Sequence, residues 1–230
     1  MPQEVYKNRF QAVLFDMDGT LADTDMVLVL SYLELFNKYR PDYKPTIKEL
    51  VYLSGPALID TMKASFPKTD PNLLVAEFKE VSKKYYERYM VGFPHTQEML
   101  DTIKARGVKV GIVTSKIRSA TDEAVHLLGL DGYFDFIVGL DEVKRPKPDP
   151  EGLNRGMAFF GVKPENTLFV GDTVYDYEVA KRAGTSVCLV TWNLRELPMD
   201  AHADFYIRDY RELVEVVIDG KQERRDLNYR

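Results

Sequence analysis

The stretch Ala12-Val13-Leu14-Phe15-Asp16-Met17-Asp18-Gly19-Thr20 passes from four apolar residues to a carboxylate in a single step. A short unbroken apolar run bounded by turn formers reads as a strand buried on both faces, the kind found in parallel sheets. Asp18-Gly19-Thr20 supplies the turn, since glycine accepts the positive φ that tight turns need. The chain then turns helical: Val27, Leu28, Leu30, Leu33, Leu35 and Phe36 recur at helical spacing until Pro41 stops them. Residues 47–53, 57–65 and 73–89 are further helix candidates, separated by Gly55-Pro56, Pro67 and Thr69-Asp70-Pro71. The first strand therefore leads into an all-helical insert.

Beyond Gly92 the texture changes. Strand candidates at 108–113, 136–138, 167–170 and 187–190 alternate with helix candidates at 96–105, 120–128, 151–160 and 176–183. Gly107, Gly129 and Gly161 close the first three of those helices. This alternation predicts βαβ units and hence an α/β fold around a parallel sheet. A last helix is expected at 210–217, and the polar residues 221–230 are expected to fray, with Leu227 and Tyr229 able to dock.

The 230 residues include 31 Lys+Arg and 36 Asp+Glu, for a net charge of −5. The 45% hydrophobic content suits one sizeable core plus a smaller unit. The mild acidity argues against nucleic acid, whose phosphates need a basic face that no Lys/Arg run here supplies. No apolar stretch approaches the roughly 20 residues of a membrane span. Residues 1–11 are too polar for a signal peptide. Cys188 is the only cysteine, which excludes an internal disulfide and a thiolate zinc site. The expectation is a cytoplasmic protein, a monomer or weak homodimer, with no membrane or nucleic-acid partner.

In open α/β sheets, ligands bind beyond the carboxyl ends of the strands. In chain order those ends carry Asp16 and Asp18, then Thr114-Ser115-Lys116, then Lys147 in a Lys-Pro-Asp-Pro loop, then Gly171-Asp172-Thr173 with Asp176 beyond. A lone Asp after a strand is ordinarily a turn former or helix cap. Four of them on one sheet edge repel one another unless a cation holds them. Oxygen ligands without thiol or imidazole select a hard divalent ion, Mg²⁺.

These same residues resemble the four motifs of the haloacid dehalogenase-like (HAD) hydrolases, in order, over about residues 11–213. The helical insert resembles the C1-type cap of the phosphoglycolate phosphatase and pyrophosphatase branch. The resemblance implies a Rossmann-like core of residues 1–23 and 92–230, with helices on both faces of the sheet, and a cap of residues 24–91. It implies Asp16 as a nucleophile that forms an aspartyl-phosphate, and Asp18 as general acid and then base. Asp16, Asp172 and the backbone carbonyl of Asp18 would ligate Mg²⁺, with Asp176 a further ligand or a group orienting metal-bound water. Lys147 and Thr114 would offset and hold the phosphoryl oxygens. Gly19, Thr20 and Ser115 would complete the phosphate pocket, and Lys116 either reaches the substrate or is solvated. Gly55-Pro56 is either a plain helix-helix turn or the loop where the branch sets specificity. The implied substrate is a small phosphorylated metabolite of phosphoglycolate, pyrophosphate or nucleotide type.

Two registers fit the third motif, with either Lys147 or Arg145 heading the Pro-x-Pro step. Lys147 is preferred, because Arg145 would put a bulky fork where a point charge is needed. Thr20 favours hydrolysis over a phosphomutase reaction, since the phosphomutase branch often has Val there. Asp18 counts against dehalogenation, because a halide needs no proton, and against a non-catalytic phosphate sensor, which has no leaving group. Asp23 and Thr24 are expected to cap the first cap helix. Tyr85, Tyr86 and Tyr89 read as a packed helix face, Cys188 as a buried strand residue, and His95, His126 and His202 as structural or surface groups.

Overall fold

The structure is a computed structural model that describes residues 8–53, 56–193 and 202–219. Strand β1 (Ala12–Phe15) leads through β2 (Ala22–Asp23) into helices α1 (Asp25–Tyr39), α2 (Ile47–Val51), α3 (Leu58–Ser65) and α4 (Pro71–Tyr89). Strand β3 (Val91–Gly92) opens the second part, which runs α5 (Thr96–Ala105), β4 (Lys109–Val113), α6 (Arg118–Leu127), β5 (Phe136–Val138) and α7 (Glu151–Phe160). It continues with β6 (Thr167–Gly171), α8 (Val174–Ala183), β7 (Ser186–Val190), β8 (Phe205–Ile207) and α9 (Tyr210–Val214), and closes on a π-helical turn at Glu215–Asp219.

Among the described residues, the large sheet is parallel throughout and ordered β5-β4-β1-β6-β7-β8. Strand β1 is central: Phe15 pairs with Ile112 on one side and Val170 on the other. The chain leaves β1 for β4 and β5, then crosses to β6 and moves outward the other way. The strand order thus reverses at β1, the point beyond whose carboxyl end open α/β sheets place their ligands.

Alternate residues of β1 feed different cores. Val13 and Phe15 pack with Met99, Val110, Ile112, Val170 and Leu213 on one face. Ala12 and Leu14 pack with Leu153, Met157, Phe169 and Val179 on the other. Helices thus cover both faces, which is why the run shows no polar alternation. Helices α1–α4 bury a third cluster of their own, built on Tyr32, Phe36, Leu50, Met62, Phe66, Leu74 and Phe78. Tyr32 of α1 and Phe78 of α4 meet with ring centroids 4.7 Å apart.

Several features differ from the expectations. Strand β8 is an extra edge strand, and β2 and β3 pair antiparallel, with Ala22 opposite Gly92 and Asp23 opposite Val91. Strands of two or three residues carry no period, so only the long-range pairing reveals them. Thr24 does not cap α1 with its side chain, whose hydroxyl is buried without a hydrogen-bond partner. Asp23 Oδ1 instead accepts from the Asp25 N–H at 3.2 Å. The expected helix over 47–53 ends at Val51. Gly55, Leu227 and Tyr229 lie outside the described residues, and among those described no helix is long and apolar enough to cross a membrane.

Candidate active site

Strands β1, β4 and β6 lie side by side, so the residues just beyond them share one crevice. Asp16, Asp172 and Asp176 are all buried there and bring one carboxylate oxygen each within 4.8 Å of one another. Asp176 arrives on the first turn of α8, whose N-terminus is closed by a reciprocal capping arrangement with Thr173. Its Oδ2 accepts from the backbone N–H groups of Asp172 (3.1 Å) and Thr173 (2.9 Å) and from the Thr173 hydroxyl (2.7 Å). A Cβ on residue 171 would stand 2.4 Å from Asp176 Cγ, so glycine is what lets the helix start this close to the strand. Gly171→Ala is expected to cost about 1–3 kcal/mol by overpacking. A lowered Tm would report that cost, and an unchanged one would show slack at the junction.

Lys147 enters the same cluster. Its Nζ lies 2.7 Å from Asp176 Oδ1 and 2.9 Å from Asp16 Oδ1, with the side chain 5% exposed. Arg145 points away, with its side chain 71% exposed and its Nε 3.2 Å from Asp149. Burial opposes the charge on Lys147, but Asp16 and Asp176 outweigh it and hold the ammonium above the ordinary lysine range. Burial pushes the Asp16 carboxyl up to about 6, against the lowering pull of Lys147. Asp176 is buried still more completely, yet Lys147 and the Thr173 bonds hold it below the usual carboxylate range.

Asp18 faces elsewhere. Both of its oxygens meet Lys116 Nζ, at 3.0 and 3.1 Å, and Lys116 also donates to the Tyr86 hydroxyl. Lys116 is thus neither solvated nor free for substrate here, and Tyr86 does more than pack. Thr114 is buried at the end of β4, where its hydroxyl accepts from the Lys116 N–H at 3.2 Å, and Ser115 beside it is half-buried. Gly19 turns the Asp18 loop with φ of 80°. Thr20 is fully buried, and its hydroxyl donates to Asp172 Oδ1 at 3.3 Å. Pro56 lies in the α2–α3 loop and takes no part in these hydrogen bonds.

Some participants carry no motif that marks them in the sequence. Asn193 Nδ2 donates to Asp172 Oδ2 at 2.9 Å. Its signal was its position just after β7, since the rule about strand ends applies there too. Tyr210 on α9 donates to the Thr20 carbonyl at 2.7 Å and so supports the Asp18 loop from below. No local pattern points to Tyr210 for that task.

The arrangement supplies a nucleophile-competent carboxylate, an oxygen-only cluster able to hold a cation, and a buried ammonium facing both. Comparisons with known proteins identify the family. A family model described as haloacid dehalogenase-like hydrolase matches residues 13–190. A protein named pyrophosphatase PpaX from Halalkalibacterium halodurans is 33% identical over 89% of this chain and 95% of its own. Its namesake from Oceanobacillus iheyensis is 29% identical over 91% of this chain and 98% of its own. A solved HAD-superfamily hydrolase of subfamily IA from Geobacter sulfurreducens superposes with a TM-score of 0.70 at 25% identity, covering 92% of this chain and 98% of that one. The chain belongs to the haloacid dehalogenase-like hydrolase family, in its C1-capped phosphatase branch.

Proposed function

We propose that the protein is a Mg²⁺-dependent phosphohydrolase that removes phosphate from a small phosphorylated metabolite through an aspartyl-phosphate on Asp16. The observation that carries this reading is the buried trio Asp16, Asp172 and Asp176 facing Lys147, with Asp18 two residues on but held apart from the trio. The oxygen-only donor set fits Mg²⁺. Asp16, Asp172 and the Asp18 carbonyl would hold the ion, while Asp176, whose oxygens already serve Lys147, Thr173 and the Asp172 N–H, would orient the shell around it. When bound, Mg²⁺ would offset the negative charge gathered on the carboxylates and on the phosphoryl oxygens.

The protein's own residues carry the rest. An Asp16 oxygen forms a bond to phosphorus as the bond to the leaving oxygen breaks, and Asp18 gives that oxygen its proton. In the second step Asp18 takes a proton from the water that opens the aspartyl-phosphate. Lys147 and Thr114 hold the transferring oxygens in both steps. In this reading residues 24–91 close as a cap over the core of 1–23 and 92–230, hinging at the β2–β3 ribbon and excluding water. The name carried by the relatives puts pyrophosphate first among candidate substrates, ahead of phosphoglycolate and nucleotides. A cytoplasmic monomer or weak homodimer completes the reading.

Mg²⁺ is expected to raise the Tm of the parent by several degrees through preferential binding to the folded state, and to leave Asp172→Asn unmoved. Equal shifts in both would remove Asp172 from the metal site. Phosphate release should then be scored by kcat/KM over a panel holding pyrophosphate, phosphoglycolate and nucleoside monophosphates. A panel without any turnover would sink the enzymatic reading.

A further inference from the structure

We propose that Lys116 and the cap residue Tyr86 are positioning residues for Asp18, forming a brace through which the seating of the helical cap sets the acid–base group. The inference rests on Asp18 having that role. A carboxylate's terminal torsion is broad when nothing holds it. Here Lys116 Nζ meets Oδ1 and Oδ2 almost equally, at 3.0 and 3.1 Å, which settles the orientation of the carboxylate plane. The lysine is itself held. Its N–H donates to Thr114 Oγ1 at 3.2 Å and its carbonyl accepts from the Leu140 N–H at 2.9 Å. Its side chain is 10% exposed, against 20% for that of Asp18. An ammonium has three donors. Two go to Asp18, and the third goes to the Tyr86 hydroxyl.

Tyr86 comes from a different part of the molecule. It lies on the last turn of α4, where it packs against the sheet's core together with Tyr85 and Tyr89. Helix α4 runs directly into β3, β3 pairs with β2, and Ala22 of β2 bridges back to Asp18. The loop bearing Asp18 and the helix bearing Tyr86 thus meet at one ribbon, and Lys116 closes the circuit across it. A cap that swings about this ribbon carries the Tyr86 hydroxyl with it. Lys116 then keeps Asp18 as its remaining side-chain partner, on a long stem whose rotamers are no longer pinned. A seated cap restores the third bond and with it the orientation of Asp18.

The test is a leaving-group series. kcat/KM reports formation of the aspartyl-phosphate, the step in which a basic leaving oxygen needs a proton and 4-nitrophenolate does not. Tyr86→Phe removes one oxygen and leaves the packing. It is expected to lower kcat/KM for ethyl phosphate by about tenfold more than for 4-nitrophenyl phosphate. Lys116→Met should show the same skew more strongly. The double variant Tyr86→Phe/Asp18→Asn should match Asp18→Asn alone, because residues acting through one group are not additive. Uniform losses across the series in Tyr86→Phe and Lys116→Met, or full additivity with Asp18→Asn, overturn the brace and leave the acid–base reading standing, provided Asp18→Asn is itself skewed. An unskewed Asp18→Asn overturns both.

Discussion

Asp16→Asn is expected to lower turnover by on the order of 10⁴-fold or more. The amide has the shape of the carboxylate but neither its charge nor its nucleophilicity, and no other carboxylate can take its place. Asp172 is tied to Thr20 and Asn193, and Asp176 to Lys147 and the Thr173 cap. Asp18 is turned toward Lys116. Phosphate release from an aryl phosphate, with Mg²⁺ and with EDTA, measures the loss. Full activity in Asp16→Asn, or turnover that ignores chelation, would falsify the covalent metal-dependent mechanism.

The same variant carries its own folding control. Burial raises the Asp16 carboxyl from 3.8 to about 6, so the folded protein favours the protonated form. A raised acid contributes stability that is whole below the unfolded value and is lost as pH rises through the folded one. Asn has no charge to bury and suffers no such loss. In chelator, Asp16→Asn should therefore melt above the parent at about pH 8 and converge with it below about pH 4. A variant that melts well below its parent at both values would mean that lost activity reports lost structure.

Lys147→Ala is expected to lower turnover by about 10²–10³-fold, the cost of removing one preorganised charge donor from a buried site. Arg145→Ala should stay within about twofold, since a 71% exposed arginine paired with Asp149 has water as a ready substitute. Removing Lys147 also strands Asp16 and Asp176 without their shared cation, an uncompensated burial that costs about 3–5 kcal/mol. Lys147→Ala should accordingly melt low in chelator and recover part of its Tm when Mg²⁺ is added. The reverse ranking of the two variants would show that Arg145 heads the motif.

The two-faced burial of Ala12–Phe15, the alternation after Gly92 and the stop at Asp16 were legible because each is a local pattern of residue type and spacing. The gathering of acids was legible too, once strand ends were aligned by their order in the chain. The β2–β3 ribbon was not legible, because two residues have no period and their partners lie on the far side of the whole helical insert. Nor was the inward turn of Thr20, since a hydroxyl at a turn looks the same whether it faces water or Asp172.

Residue type and period by themselves determined the layered α/β architecture, the helical insert and the group of acids at the strand ends. Packing alone decided which ammonium serves which acid. Lys147 goes to Asp16 and Asp176, Arg145 to the surface, and Lys116 to Asp18 and a tyrosine of the cap. The pairings inside the site depend on distances of a few ångströms between residues 29 to 131 positions apart, the nearest in sequence being Lys147 and Asp176 and the farthest Asp16 and Lys147, and spacing along a chain does not encode them.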